Sequence, residues 1–124
     1  MAKPGTVIGW TLDEAERRIL LDRWPPRYVQ TVAHHVTLAT EAKDQPLPEP
    51  VSAAIVGHAD DGAGVEAMVV AIDGDTARPD GSTFHITWSL GDGRRARESN
   101  DVIRERGWDK HEQPTPITLN PARM

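Results

Sequence analysis

His35-Val36-Thr37-Leu38 and His85-Ile86-Thr87-Trp88 share one pattern: a histidine, an aliphatic residue, a threonine and a large apolar residue. Both stretches lie in runs of residues that favour β-strands, where alternate side chains point to the same face. This alternation predicts that each histidine shares a polar face with its threonine, while the intervening side chains enter the core. Each strand then presents an imidazole beside a hydroxyl, and Ser89 extends the second polar face. We call these two stretches the first and second His-x-Thr motifs.

The residues around the motifs predict a mixed α and β chain. Residues 11–14 have the form of a capping box with Thr11 as N-cap, and the apolar spacing that follows predicts a helix over residues 11–23. A second helix is predicted over residues 99–106, capped by Ser99 or Asn100. Residues 41–50 contain three prolines and predict a loop. Strands are predicted over residues 6–10, 28–39, 51–56, 65–72, 83–90 and 116–120, with a hairpin turn at 60–64.

Length and composition narrow the class of protein. A chain of 124 residues is sufficient for one domain, which we place over residues 1–124. The chain has no cysteine, so disulfides, zinc–thiolate sites and thiol nucleophiles are excluded. No apolar run reaches the roughly 18 residues that cross a bilayer, and residues 1–5 do not lead into a signal peptide. We therefore expect a soluble cytoplasmic protein with no membrane partner.

Charge is unevenly distributed along the chain. The net formal charge of −5 argues against broad, non-specific binding to nucleic acid. Arginines nevertheless concentrate just after the second motif, so a phosphate-bearing partner should be short and held there. Arg94, Arg95 and Arg97 are the candidates for phosphate contact, and Tyr28 and Trp10 are candidates for stacking on a base.

The paired motifs suit the cleavage of a phosphodiester. This reaction needs one group to remove a proton from the nucleophile and another to protonate the leaving oxygen. His35 and His85 can divide these roles, because imidazoles titrate near neutral pH. Thr37 and Thr87 can donate to the phosphate oxygens as charge develops there. This chemistry needs neither a metal nor a cofactor, and the histidines lack the spacing of a usual metal site.

The chain resembles a known superfamily at these motifs. Paired His-x-Thr motifs define the 2H phosphoesterases. Residues 33–38, residues 84–87 and the downstream Glu98-Ser99-Asn100-Asp101 look like the cyclic phosphodiesterase domain of fungal-type tRNA ligases. The resemblance covers residues 28–102 at the level of motifs.

This resemblance implies both a fold and an activity. The fold would be α+β and two-lobed, with curved antiparallel sheets, one or two covering helices and a central cleft. The activity would be hydrolysis of a 2′,3′-cyclic phosphate to a 2′-phosphate, on an RNA end or a small cyclic nucleotide, as in RNA processing or repair. His85 would act as base, His35 as acid, and Thr37 and Thr87 would hold the phosphate.

Several alternatives stay open. The chain can be a non-catalytic module that binds RNA ends or cyclic nucleotides, or an enzyme for another target such as a cyclic oligonucleotide or an ADP-ribose cyclic phosphate. The sequence does not indicate the oligomeric state. Of the other histidines, alternation predicts that His34 faces away from His35 as a structural residue, whereas His58 and His111 are expected to be exposed.

Overall fold

Eight strands and two helices make up the part of the chain described by this computed structural model, residues 4–124. Residues 1–3 lie outside the described residues. They belong to the segment 1–5, for which the sequence predicts no signal peptide. Within residues 4–124, no helix is both long and apolar enough to cross a membrane. The elements are β1 Ile8–Leu12, α1 Glu14–Arg23, β2 Gln30–Thr31, β3 His35–Ala39, β4 Ala53–Asp60, β5 Val65–Ile72, β6 His85–Leu90, α2 Glu98–Arg106, β7 Asp109–Ile117 and β8 Leu119–Arg123.

The strands form a single antiparallel sheet. Its order is β7-β4-β5-β6-β3-β1-β8, and β2 pairs with the end of β6. The sheet has two halves, β7-β4-β5-β6 and β3-β1-β8, which meet where β3 lies beside β6. Only one residue pair, Val36 with Ile86, is in register at this junction. The chain is therefore α+β with a curled antiparallel sheet and two helices.

Apolar side chains cover both faces of the sheet. The larger cluster includes Trp10, Val36, Ile86 and Trp88, and Leu20 of α1 packs into it. A smaller cluster lies under α2 and contains Val65, Ala67, Val69, Leu90, Val102 and Ile103. Burying one Val or Ile side chain contributes about 1.5–3 kcal/mol, so the two clusters hold the two helices on the sheet.

The first helix begins later than the sequence predicts. Thr11 is not its N-cap, because Thr11 belongs to β1 and pairs with His35 on one side and Asn120 on the other. Asp13 takes the role instead: its Oδ2 accepts a hydrogen bond from the backbone N–H of Glu16 at 3.0 Å. The predicted end of the helix before Pro25 is confirmed. Strand pairing, a long-range interaction, outweighed the local capping signal.

Other predicted boundaries are partly confirmed. β5 has the predicted limits, and the predicted turn joins β4 to β5. The predicted strand 28–39 is divided into β2 and β3, because Ala33 has a left-handed backbone with φ 42°. The second helix begins at Glu98 without a side-chain cap, so neither Ser99 nor Asn100 caps it. The predicted final strand is two strands, β7 and β8, which lie at the two edges of the sheet, where prolines are tolerated.

Candidate active site

The two His-x-Thr motifs lie side by side at the junction of β3 and β6. The central residues of the motifs, Val36 and Ile86, are registered partners and both are fully buried. Extending this antiparallel alignment by one residue in each direction places His35 next to Thr87, and Thr37 next to His85. The four polar side chains therefore share the face of the sheet opposite to Val36 and Ile86.

One cavity of about 410 Å³ is lined by all four motif side chains. Its volume lies in the range of small-molecule sites, roughly 300–1,000 Å³. The remaining lining comes from the segment before β1, the residue after β3, the β5–β6 connection, and the residues around the start of α2: Val7, Thr40, Arg78, Asp80, Ala96, Arg97 and Asn100. The tertiary structure thus brings together His35, Thr37, His85 and Thr87, which are separated by up to 52 positions in the chain.

His85 is held in one tautomer by the backbone. Its Nδ1 lies 2.8 Å from the carbonyl oxygen of Thr83. A carbonyl can only accept, so Nδ1 carries the proton and donates it, and Nε2 keeps its lone pair. Burial lowers the pKa of His85, the Thr83 hydrogen bond opposes this, and the nearby Arg78 guanidinium lowers it further. A neutral imidazole with a free Nε2 lone pair is the form that a general base needs.

His35 is also kept neutral by its surroundings. Burial, together with smaller effects of charge on His34 and His85, lowers the pKa of His35 to about 4. His35 Nδ1 lies 3.0 Å from His34 Nδ1, so one of these two atoms carries a proton and the other accepts it. Among residues 4–124, no carboxylate is hydrogen-bonded to either His35 or His85.

The placement of His34 corrects the sequence prediction. We predicted a structural residue that faces away from His35, but His34 is exposed and its ring meets that of His35 edge-on at 5.2 Å. The physical reason is that β3 begins only at His35, after the left-handed turn at Ala33. Strand alternation therefore does not apply to His34.

The two motif threonines differ in their hydrogen bonds. Thr87 is buried; its Oγ1 donates to the carbonyl of Ala96 at 3.3 Å and lies 2.9 Å from Ser99 Oγ. Ser99 is fully buried in the first turn of α2, so this pair fixes α2 against β6. Thr37 is half-buried. Thr37 is thus the more accessible hydroxyl for a ligand.

Of the three candidate arginines, only Arg97 lines the cavity. Arg94 is turned toward the β4–β5 hairpin, where it bonds Asp61 at 2.8 Å, and it also reaches Glu98 at 3.1 Å. Arg95 is exposed and its backbone N–H donates to Glu98 at 2.6 Å. The Arg94 side chain therefore ties the loop before α2 to the β4–β5 hairpin.

Arg78 is a cavity residue that the sequence analysis missed. Its side chain is only 7% exposed, its Nε donates to the carbonyl of Leu38 at 3.1 Å, and Asp80 lies 3.4 Å from its guanidinium. Asp80 is a second cavity residue that the sequence analysis missed. Asn100, which the sequence offered only as a helix cap, also lines the cavity. Arg78 and Asp80 carry no motif, and only the fold of the β5–β6 connection brings them to the histidines.

Ser89 lies on the opposite face from His85 and Thr87. In the β5–β6 pairing, Glu66 is opposite Ser89 but Ala67 is opposite Thr87, so Trp88 is an extra residue. Such a bulge reverses the alternation beyond it. Ser89 Oγ is fully buried and donates to Glu66 Oε1 at 2.6 Å. Ser89 is therefore not placed to contact a ligand in the cavity.

The proposed stacking residues also lie elsewhere. Trp10 is 2% exposed and packs edge-on against Phe84, so its ring faces are in the core. Tyr28 donates its hydroxyl to Asp60 at 2.6 Å, on the far side of the sheet from the motifs. Neither residue lines the cavity. Hydrophobic burial accounts for the position of Trp10, and the hydrogen bond to Asp60 accounts for that of Tyr28.

His58 and His111 are less exposed than predicted. His58 lies within β4 and its Nε2 donates to Glu66 Oε2 at 2.8 Å. His111 belongs to β7 and stacks on the ring of Trp24 with 5.2 Å between centroids. Within residues 4–124, no three His, Asp or Glu side chains gather as a metal ion would require.

No family model matches this chain, and no significant match was found among curated proteins or solved structures. The functional argument therefore depends on the chain's own residues and their geometry.

Proposed function

We propose that this protein is a 2H-type phosphodiesterase that hydrolyses 2′,3′-cyclic phosphates, on RNA ends or small nucleotides, to 2′-phosphates. The observation that carries the proposal is the shared cavity, in which two imidazoles and two threonines from neighbouring antiparallel strands line one space. The symmetry of this arrangement, with each histidine beside the other motif's threonine, suits a phosphate held between two proton-transfer groups.

The cavity's charge also favours a phosphate. Arg78 and Arg97 line it and contribute two positive charges, against the single carboxylate of Asp80. Because Arg78 is buried and held by the Leu38 carbonyl, its guanidinium is fixed in place before a ligand arrives. Fixed donors of this kind stabilise charge that develops on phosphate oxygens in the transition state.

The reaction divides proton transfer between the two imidazoles. His85 Nε2 removes a proton from water as the water oxygen attacks phosphorus, and the bond from phosphorus to the 3′ oxygen breaks. The leaving 3′ oxygen takes a proton from His35 Nε2, and a second proton reaches the His35 ring as the first one leaves, so that no imidazolate forms. The product has a 2′-phosphate and a free 3′ hydroxyl. Thr37, Arg78 and Arg97 would hold the non-bridging oxygens. The proton acceptor and the proton donor at the reacting atoms are both side chains of this chain, so the proposed reaction requires no metal.

The fold is compatible with the two-lobed 2H architecture. The two halves of the sheet each carry one motif. α2 packs on β4 and β5, and α1 packs into the larger apolar cluster, which contains residues of both halves. The two halves are not separate lobes, because the Val36–Ile86 pair joins them in one continuous sheet. We propose that this junction corresponds to the central cleft of that superfamily.

The direct test is to assay the purified chain on nucleoside 2′,3′-cyclic phosphates and short cyclic-phosphate RNAs, with EDTA present. His35→Ala and His85→Ala should each lower kcat by about 10²-fold or more. The double variant should be hardly worse than either single one, since the two groups act together. His111→Ala, which removes a histidine outside the cavity, is the matched control and should keep full activity.

Three outcomes would overturn the proposal. They are no turnover of any substrate in the panel, turnover that EDTA abolishes and zinc or manganese restores, or full activity in both single variants.

A second candidate is a non-catalytic module that binds cyclic-phosphate or phosphorylated ends. One observation favours it: the Thr87 hydroxyl is already bonded to Ala96 and Ser99, so it is less free to act on a reacting phosphate. Calorimetry with a 2′,3′-cyclic nucleotide separates the two candidates. Tight binding without turnover, lost in Arg78→Ala, supports the binding module.

A further inference from the structure

The proposed reaction leaves a question about the acid. A general acid must hold a proton near the working pH, but burial lowers the pKa of His35 to about 4. At neutral pH the His35 ring is therefore neutral. A neutral imidazole that gives away its only N–H becomes an imidazolate, which is far too unstable to form at this pH. The proton must therefore be replaced as it leaves.

His34 is the group in position to replace it. Its Nδ1 lies 3.0 Å from Nδ1 of His35, and its ring is exposed to solvent. Because the His34 ring is open to solvent, the two Nδ1 atoms form a path from water to the ring of His35. The contact depends on the Ala33 backbone, whose φ of 42° turns His34 back toward the first motif. Arg17 of α1 fixes that turn by donating to the carbonyls of Val32 and Ala33, at 3.1 and 2.8 Å.

We propose that His34 is a positioning residue that relays a solvent proton through His35 to the leaving oxygen. The inference rests on the proposed phosphodiesterase function. With His34 protonated, its Nδ1–H donates to Nδ1 of His35, so Nε2 of His35 carries the only proton on that ring. The leaving oxygen takes the Nε2 proton while His35 Nδ1 takes the Nδ1 proton of His34. The leaving oxygen has then gained one proton and both rings are neutral. Solvent protonates Nε2 of His35 as its Nδ1 proton returns to His34, which restores the starting state.

The relay also explains the division of roles between the histidines. His35 presents an N–H to the cavity, and His85, whose Nδ1–H is bonded to Thr83, presents a lone pair. The charged and titratable groups near this pair are His85 on β6, Arg78 and Asp80 between β5 and β6, Arg97 before α2, and Arg17 on α1. Three of these five are arginines, which stay positive across the working range, so they do not compete as proton donors.

The test compares His34→Ala and His34→Asn with the wild type on a 2′,3′-cyclic nucleotide. Asn carries an amide N–H at Cγ, as His carries Nδ1, so it can fix the His35 tautomer but has no proton to give. We expect both variants to lower kcat at pH 7 by roughly 10- to 100-fold, part of the contribution of a general acid. The descending limb of the pH–rate profile should move to lower pH, because His35 alone must then hold the proton. Added free imidazole should restore activity to His34→Ala.

The controls separate the relay from the activity itself. His85→Ala should be inactive and not rescued by removing His34, and His111→Ala should match the wild type. Wild-type rates in His34→Asn would mean that His34 only sets a tautomer, and wild-type rates in His34→Ala would mean that it has no role. Either result overturns the relay and leaves the phosphodiesterase intact.

If the wild type hydrolyses no substrate, the phosphodiesterase proposal fails and nitrogen-15 NMR still tests the relay. The relay requires that the neutral His35 ring carries its proton on Nε2 in the wild type. It also requires that this preference for the Nε2 tautomer is lost in His34→Ala. A His35 ring protonated on Nδ1 in the wild type overturns it.

Discussion

Two histidines flank β5 on opposite faces of the sheet, and their partners differ. His58 donates to Glu66, a carboxylate that is 2% exposed and also accepts from Ser89 and from the backbone of Arg27. His85 donates to a backbone carbonyl and lines a cavity. Burial alone would raise the pKa of Glu66, but these hydrogen bonds outweigh it and lower the pKa.

The comparison teaches which histidine is free to react. The Glu66 cluster, which we define as Glu66, His58, Ser89 and Arg27, satisfies its polar groups internally and ties β4, β5 and β6 to the segment after α1. The motif cavity leaves an imidazole lone pair without a carboxylate. We expect damage to the Glu66 cluster to reduce stability and damage to the cavity to reduce activity.

The largest expected effect is on stability, from Glu66→Ala. This change leaves the donors of His58, Ser89 and Arg27 without an acceptor in a buried site. Breaking such a buried pair costs about 3–5 kcal/mol. Urea unfolding measures it, with Glu66→Gln as the matched control that keeps one acceptor oxygen. A loss below about 1 kcal/mol in Glu66→Ala would contradict the structural role of the cluster.

The second effect is the pH dependence of stability through His35. Its pKa is about 4 in the folded chain and near 6.5 when unfolded, so the unfolded state binds more protons between these values. Stability is complete above about pH 6.5 and falls as pH drops toward 4, by up to about 3 kcal/mol. His35→Gln should flatten this part of the profile. Equal slopes in both proteins would show that His35 is accessible to protons in the fold.

A smaller effect concerns the arginines near the cavity. Arg97 lines it and Arg95, two residues earlier, does not. Loss of one charged hydrogen bond to phosphate, about 1.4 kcal/mol, would raise KM about tenfold in Arg97→Ala. Arg95→Ala is the matched control and should leave KM unchanged. The reverse ranking would move the phosphate site away from the cavity.

The smallest effect is expected from Ser99→Ala. The Ser99 hydroxyl is buried and bonded to Thr87, so its loss should cost about 1 kcal/mol of unfolding free energy. Activity should fall less than in His35→Ala, because Thr87 keeps its bond to Ala96. Thermal or urea unfolding gives the first value and steady-state kinetics the second. An unchanged free energy of unfolding would show that this hydrogen bond does not hold α2 on β6.

The sequence determined the local elements and the pairing of chemistry within each motif. Alternation within a strand is a local property, so it correctly placed His35 with Thr37 and His85 with Thr87. The central strands and the end of α1 were predicted for the same reason, since strand propensity and proline act over a few residues.

Only the tertiary structure decided what surrounds those motifs. The bulge at Trp88 removed Ser89 from the site, the turn at Ala33 brought His34 to His35, and the β5–β6 connection supplied Arg78. Each of these depends on strand register or on a backbone angle that is set by packing between distant segments. The residue types that favour a strand do not specify its bulges or its neighbours, and the chemistry of the cavity depends on both.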